Sequence, residues 1–413
     1  MRILHLADLH FGKSLHNLSL LESGDQQYWV QQTLTFIAEQ KPDAVVIAGD
    51  VYDRSVPSKE AVTLLDAFIT GIANLKIPVL MIAGNHDGGD RLQFGAELFQ
   101  SREVHIAGVA EKEIKCVPVE DKEGNGTVYF WLMPYATQPV IRNVLGKTEE
   151  DLSDYTQCVK AWLSEQKIDF DARNVLVAHQ TVLYDGNSPE ASSSETAIGG
   201  ISGIDISAFE GFDYVALGHF HGAQKMGKDN IRYAGAPLCY HFGEAGQKKG
   251  LLMVNLHEKG TPATYDITEL TPKMTVLPTI RGKCFDIIEQ ESSNPTCNCY
   301  INVQLQDEWI GPDMDRQIRA LFESHGSVVL DVTPDPERKR ADGSETIRAG
   351  IHDLSLDEHF VNYFKERTQK DPNGNELELI QLLASAIGDQ SEKTIDELAT
   401  DLIEAAMRQE EEE

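Results

Sequence analysis

Ala44-Val45-Val46-Ile47-Ala48-Gly49-Asp50-Val51-Tyr52-Asp53 is the stretch on which the fold turns. Five apolar residues in a row suit a strand buried on both faces, as in a mostly parallel sheet. A glycine then permits a sharp turn, and two carboxylates follow it. The flanking segments, residues 26–39 and 59–73, carry apolar residues at helical spacing. Pro42 and Pro78 stop each helix before the next strand. Residues 3–7 and 79–83 repeat the apolar run. Strands alternating with helices predict a layered α/β domain.

Further along, the pattern shortens. Residues 104–106, 117–119 and 128–132 read as brief strands, and Glu123-Gly124-Asn125-Gly126 supplies a turn between the last two, so an antiparallel portion is expected. A helix over 152–166 precedes strands at 174–178, 213–217, 231–234 and 251–256. The Ser- and Gly-rich residues 184–203 read as a surface loop at the rim of a site. A boundary falls at Leu270-Thr271-Pro272. Beyond it, residues 284–288, 300–303 and 328–332 read as strands around a helix at 313–322, a small α+β unit. Residues 334–350 read as a polar linker, with Arg338-Lys339-Arg340 keeping it solvated. Ser355 and Glu358 then fit a capping box. Phe360 and Phe364 fall one turn apart, and Leu379, Ile380, Leu383 and Ile387 mark a second amphipathic segment. Short helices on a linker bury little alone, so a docking role is expected. The expected organisation is a large α/β domain over 1–270, a small α+β domain over 271–340, and a linker with a helical partner-binding module and acidic end over 341–413.

Of the 413 residues, 41% are apolar and 25% charged, an ordinary balance for a soluble protein. Asp and Glu outnumber Lys and Arg 66 to 36, a formal charge of −30. That excludes a protein that coats nucleic acid with global positive charge, but not a local basic groove. From Asp371 onward, thirteen acidic residues face two basic ones. The six cysteines form no C-x-x-C pair, which reads as reduced thiols, and Cys297 and Cys299 read as strand alternation. No apolar leader precedes Asp8 and no run has the length of a membrane span, so a cytoplasmic protein with no membrane contact is expected.

The chemistry lies where strands end. Asp8 and His10 follow the first strand, and extended backbone would point both side chains one way. Asp50 and Asp53 follow the second, Asn85-His86-Asp87 the third, His179 a fourth, and His219 and His221 a fifth. In α/β sheets, ligands gather at such ends. Asp8, Asp50, Asn85, His10, His179, His219 and His221 together offer two carboxylates, an amide oxygen and four imidazoles. That set holds too much nitrogen for a magnesium or calcium cage and no thiolate for structural zinc. It suits Mn(II), Fe(II) or Zn(II). Seven donors exceed one ion but suit two sharing a carboxylate, roughly 3.5 to 4 Å apart, a pair able to activate water and clamp a phosphate. Singly, each residue would be a helix cap, a turn or a packed histidine; the joint order carries the reading.

Asp8-Leu9-His10, Gly49-Asp50-Val51-Tyr52-Asp53, Gly84-Asn85-His86-Asp87, lone His179 and Gly218-His219-Phe220-His221 resemble the calcineurin-like metallophosphoesterase superfamily. Within it, Met1-Arg2-Ile3-Leu4-His5 leading to Asp8-Leu9-His10-Phe11-Gly12-Lys13 is similar to the SbcD family of bacterial nuclease subunits. So are the runs from Gly49 to Arg54 and from Glu210 to His219, whereas Gly88-Gly89 stand where many relatives carry Ser and Pro. The resemblance implies a layered metallophosphoesterase sandwich with a small α+β capping domain and a C-terminal helical tail. It implies that Asp8, His10 and His221 hold one metal, that Asn85, His179 and His219 hold the other, and that Asp50 bridges them. His86 would assist the leaving oxygen, and Asp53 would support the His86 region. Lys13, Arg54 and Arg91, each just after a motif, are candidate phosphate contacts. The implied cofactors are two Mn(II) ions, with Mg, Fe or Zn as alternatives. The implied activity is hydrolysis of DNA phosphodiester bonds, 3′-to-5′ on duplex ends and endonucleolytic on single strands or hairpins, in repair and recombination. The implied partners are DNA, a coiled-coil ATPase of SbcC type docked on the C-terminal helices, and a second copy, giving a heterotetramer. Two rivals stand beside this: a phosphatase or cyclic-nucleotide phosphodiesterase with the same metals, and a non-catalytic scaffold.

Overall fold

A computed structural model describes residues 1–190, 203–307 and 310–336. Met1–Asp335 forms one compact unit. Its centre is a pair of six-stranded sheets. The first runs Thr264–Glu269, Gly250–Asn255, Arg2–Leu6, Ala44–Ala48, Val79–Ile82, Val104–Ala107. Its last four strands are mutually parallel, and the other two join antiparallel. The second runs Gln224–Met226, Lys228–Tyr233, Tyr214–Gly218, Arg173–His179, Thr127–Met133, Lys115–Glu120, parallel within and antiparallel at both edges.

Alternation along the strands builds the layers. In Ala44–Ala48, Val45 and Ile47 point to the helices Asp25–Gln40 and Lys59–Asn74, joining Trp29, Phe68 and Ile72. Val46 and Ala48 point the other way, to Val128, Phe130, Val175 and Ala216 of the second sheet. The outer face of that sheet is covered by Tyr155–Ser164, through Cys158, Val159 and Trp162. The result is helix, sheet, sheet, helix. Near-continuous apolar strands follow from burial on both faces. His5 shares the inter-sheet face, where it is buried with Nδ1 3.0 Å from the Tyr214 hydroxyl.

A third sheet has Cys299–Leu305 at its centre, with Thr275–Val276 and Ile280–Gly282 along one edge and Val328–Pro334 on the other. Helices Cys284–Ser293 and Pro312–Ser324 pack on it through Ile287, Ile318 and Phe322. The expected strand at 284–288 is therefore helical. Its short apolar run carries no periodicity long enough to separate the two forms, and Asp307 caps the helix from outside by accepting the Cys284 amide at 2.7 Å. This sheet joins the sandwich through a small apolar cluster of Leu15, Leu20, Tyr240, Phe242 and Tyr300. The Tyr300 hydroxyl donates to Asp25 at 2.7 Å within the same contact. The loop segment 191–202, Arg338-Lys339-Arg340 and the helical module expected from Ser355 lie outside the described residues.

Candidate metal centre

The carboxyl ends of five parallel strands meet along one edge of the sandwich. His179 locks the two sheets together there, its Nδ1–H donating to the Ala48 carbonyl at 2.8 Å. Gly49, at φ 85°, leaves room for this bond, since a Cβ would stand 2.4 Å from His179 Nδ1. After the first two strands the chains run on side by side: the Asp8 amide donates to Gly49 O at 3.0 Å, His10 to Asp50 O at 2.9 Å and Phe11 to Val51 O at 2.9 Å. Asp8 and His10 do not reach the site from extended backbone. Their φ angles are 53° and 42°, and Asp50 and His219 stand at 49° and 108°. Left-handed backbone at non-glycine residues is sparse, and its clustering here marks a place where conformation serves the site.

Every one of the seven expected donors is delivered to this edge. His10 Nε2 and His221 Nε2 face each other at 3.2 Å, and these two with a carboxylate oxygen of Asp8 form a cluster compact enough for one ion. The amide oxygen of Asn85 lies 3.1 Å from His179 Nε2 and 2.9 Å from His219 Nδ1. Between the two groups, Asp50 Oδ2 stands 3.3 Å from His179 Nε2 and 3.6 Å from His10 Nε2. The other oxygen of Asp50 accepts the His86 amide at 2.9 Å. Converging imidazole nitrogens and carboxylate oxygens, nearly all buried, fit a pair of divalent cations: two aimed lone pairs repel one another unless a cation or proton lies between them.

Burial sets the electrostatics. It pushes the Asp8 carboxyl up to about 7, against the pull of His179 and His221, with the Asp50 charge adding to the rise. It acts on Asp50 as well, yet the charge and hydrogen bond of His179, followed by His10 and His86, hold Asp50 well below the usual range. Burial opposes charge on His179, but Asp50 and Asp8 outweigh it and raise that imidazole to about 9. Desolvation keeps His10 well below its ordinary value and His219 down to about 3, which favours the neutral imidazole, the form able to hold a cation.

His86 stands at the mouth, about 40% exposed, its ring edge-on to His10 at 4.9 Å. Its Nδ1–H donates to the backbone carbonyl of Asp53 at 3.0 Å, so Nε2 faces the cluster, 4.0 Å from Asp50 Oδ2. A carboxylate oxygen of Asp53 lies within 4.8 Å of ring nitrogens of both His86 and His10. It pairs with Lys13 Nζ at 2.7 Å and lies 3.9 Å from His10 Nδ1. Arg54 is 83% exposed and 3.7 Å from Asp53. Arg91 goes elsewhere: it lines a cavity of about 450 Å³ with Leu92, Phe94 and Phe99. Asp87 accepts the amides of Gly84 at 2.8 Å, Tyr52 at 2.9 Å and Val51 at 3.1 Å, stitching two ligand loops together. Sequence reasoning passed over Glu244, Lys249 and Tyr240. Glu244 binds His221 Nδ1 at 2.9 Å, and the Tyr240 ring lies 5.3 Å from His10 and 5.4 Å from His221. They sit in and around the short helical turn Phe242–Glu244, where no periodicity sets a residue apart.

The sequence profile described as calcineurin-like phosphoesterase matches residues 1–223. A Staphylococcus epidermidis protein named as the SbcD member of the SbcCD nuclease is 33% identical over 308 residues, covering 74% of this chain and 79% of that one. Two crystal structures are similar in part. One, from Thermus thermophilus, shares 9% identity over 64% of this chain and 98% of that chain, with a TM-score of 0.38. The other, a dimetal phosphatase from Danio rerio, shares 12% over 65% of this chain and 99% of that chain, at 0.35.

Proposed function

The chain belongs to the calcineurin-like phosphoesterase family, and from that premise we propose that it is a metal-dependent DNA nuclease subunit of SbcD type. The observation that carries the chemistry is the convergence of Asp8, His10, Asp50, Asn85, His179, His219 and His221 at one edge of the sandwich. What directs it at DNA is the likeness over 308 residues to a protein named as part of a nuclease.

In this reading Asp8, His10 and His221 hold one cation, Asn85, His179 and His219 the second, and Asp50 both. Bound there, two divalent cations supply Lewis acidity, activating water and neutralising phosphate charge. The protein's own groups do the rest. His179 and His221 are fixed through their Nδ1 atoms, so each presents Nε2. His86, held by the Asp53 carbonyl and open to solvent on its other side, is placed to give a proton to the departing oxygen. Lys13 and Arg54 flank Asp53 and meet the backbone phosphates. Mn(II) is the preferred metal, and the products are those of 3′-to-5′ trimming of duplex ends and of cuts in single strands or hairpins.

The proposed setting is cytoplasmic repair and recombination, with an ATPase of SbcC type bound through residues 341–413 and a second copy of this chain bound through the phosphoesterase face. All six cysteines are free thiols. No helix among the described residues is long and apolar enough to cross a membrane. For the dimer, Phe94 and Leu98, 84% and 77% exposed beside the 450 Å³ cavity, offer the apolar surface.

Purified protein with Mn(II), given blunt duplex, hairpin DNA and cyclic nucleotides in parallel, tests the reading. Cleavage of both DNAs supports it. Hydrolysis of cyclic nucleotides alone replaces it with the small-molecule phosphodiesterase, and no hydrolysis at all leaves the scaffold.

A further inference from the structure

The group that orients His221 lies beyond the stretch matched by the family profile. Glu244 ends a short helical turn, Phe242–Glu244, and is fully buried. Its Oε1 accepts from His221 Nδ1 at 2.9 Å. Its Oε2 accepts from Lys249 Nζ at 2.8 Å and from the Tyr240 amide at 3.3 Å. Lys249 also donates to the His221 carbonyl at 2.9 Å, so one ammonium ties the carboxylate to the backbone of the ligand it serves. An ionised carboxylate only accepts. The His221 proton therefore sits on Nδ1, and Nε2 carries the lone pair that faces His10 Nε2 at 3.2 Å.

The opposite half of the centre is built differently. There the fixed imidazole is His179, and its anchor is the Ala48 carbonyl at 2.8 Å, an oxygen that no side-chain change removes. One half thus rests on backbone, the other on a buried ion pair.

We propose that Glu244 is a positioning residue: with Lys249 as its counter-ion it fixes the tautomer and ring orientation of His221, and so sets the cation affinity of the half built from Asp8, His10 and His221. The inference rests on the two-ion reading above. It also gives Lys249 a role without contact with a ligand side chain. Lys249 only donates, so it dictates which atom of residue 244 faces it. In Glu244→Gln the amide oxygen turns to Lys249 and the NH₂ group meets His221 Nδ1. That favours the tautomer with the proton on Nε2, which cannot ligate. Lys249→Met in the same chain removes the shorter of the two bonds that hold the oxygen there, leaving only the 3.3 Å Tyr240 amide against its turning back.

Mn(II) titration followed by calorimetry, with thermal unfolding of the ion-free proteins as the folding control, reads this directly. Wild type is expected to bind two ions. In Glu244→Gln one site weakens about 10- to 100-fold while the other is unchanged, and Glu244→Gln with Lys249→Met recovers part of that loss. Unchanged affinity at both sites in Glu244→Gln, equal weakening of both, or a double variant no better than the single one overturns the proposal. Wild type holding fewer than two ions would instead remove the two-ion reading. Should Glu244→Gln fail to fold, nitrogen NMR of labelled histidines in the ion-free wild type carries the test: an Nδ1–H tautomer at His221 supports the proposal and an Nε2–H tautomer overturns it.

Discussion

Asp8, His10, Asp50 and His219 hold backbone angles that glycine adopts freely and they do not. Each such residue costs of order 1–3 kcal/mol, sustained only because neighbouring structure over-determines it. Here that structure is the amide ladder from Asp8 to Phe11 and the two amides, His219 and His86, that grip Asp8 and Asp50. At Gly84 the fit leaves no space: a Cβ would stand 2.1 Å from Asp50 Oδ1. His86 stands at the mouth, about 40% exposed, its Nδ1 engaged by the Asp53 carbonyl and its Nε2 turned to the cluster, a place suited to a proton donor. His86→Ala is expected to keep both ions and to lower turnover at least ~100-fold, measured by metal analysis beside a single-turnover cleavage assay. Near-normal turnover removes His86 from the mechanism. At this scale the sequence was legible where spacing and residue type coincide, as in Asp8-Leu9-His10. It was silent on Glu244, whose partner lies 23 positions earlier, and on the Ala48 carbonyl, because a backbone oxygen has no sequence signature.

Strands and their loops explain why the donors meet. Parallel order sends five strand ends to one edge, and apolar runs such as Ala44–Ala48 announced that order. The left-handed turns after them were not legible, since they arise from the ladder between two loops. The 284–288 run went astray for a related reason: helix Cys284–Ser293 is decided by packing of Ile287 and by Asp307 from outside the segment. Burying two sheet ends together also couples the site to pH. Asp8 rises from 3.8 to about 7. Its protonated form is therefore the one the ion-free fold favours, a contribution present at low pH and lost as pH rises through 7. Proton and cation compete for that carboxylate, so Mn(II) affinity should rise at least about tenfold from pH 6 to pH 8. A titration at the two pH values checks it, and flat affinity would mean that no proton competes with the cation at Asp8 over that range.

The proposed function joins an acidic chain, −30 in formal charge, to a substrate that is itself an anion. In that proposal the bound cations, Lys13 and Arg54, and a partner surface would supply the neutralising charge. Phe94→Ser with Leu98→Ser is expected to shift a dimer to monomer in light scattering without loss of Mn(II) binding; an unshifted mass would place the dimer face elsewhere. Deleting residues 355–413 is expected to leave Mn(II)-dependent cleavage intact and to abolish capture of the coiled-coil ATPase, read by pull-down; undiminished capture would free the tail of that role. Helices layered on sheet were legible from periodicity and the sandwich only from the family resemblance, whereas the seat of the third sheet on Tyr240 and Tyr300 was not, being a long-range apolar contact. The central claim is met most directly by a crystal structure grown with Mn(II), with anomalous scattering to locate it. Two peaks roughly 3.5 to 4 Å apart are expected, with Asp50 touching both, Asp8, His10 and His221 on one, and Asn85, His179 and His219 on the other. A single peak, or ions held by other residues, would contradict it.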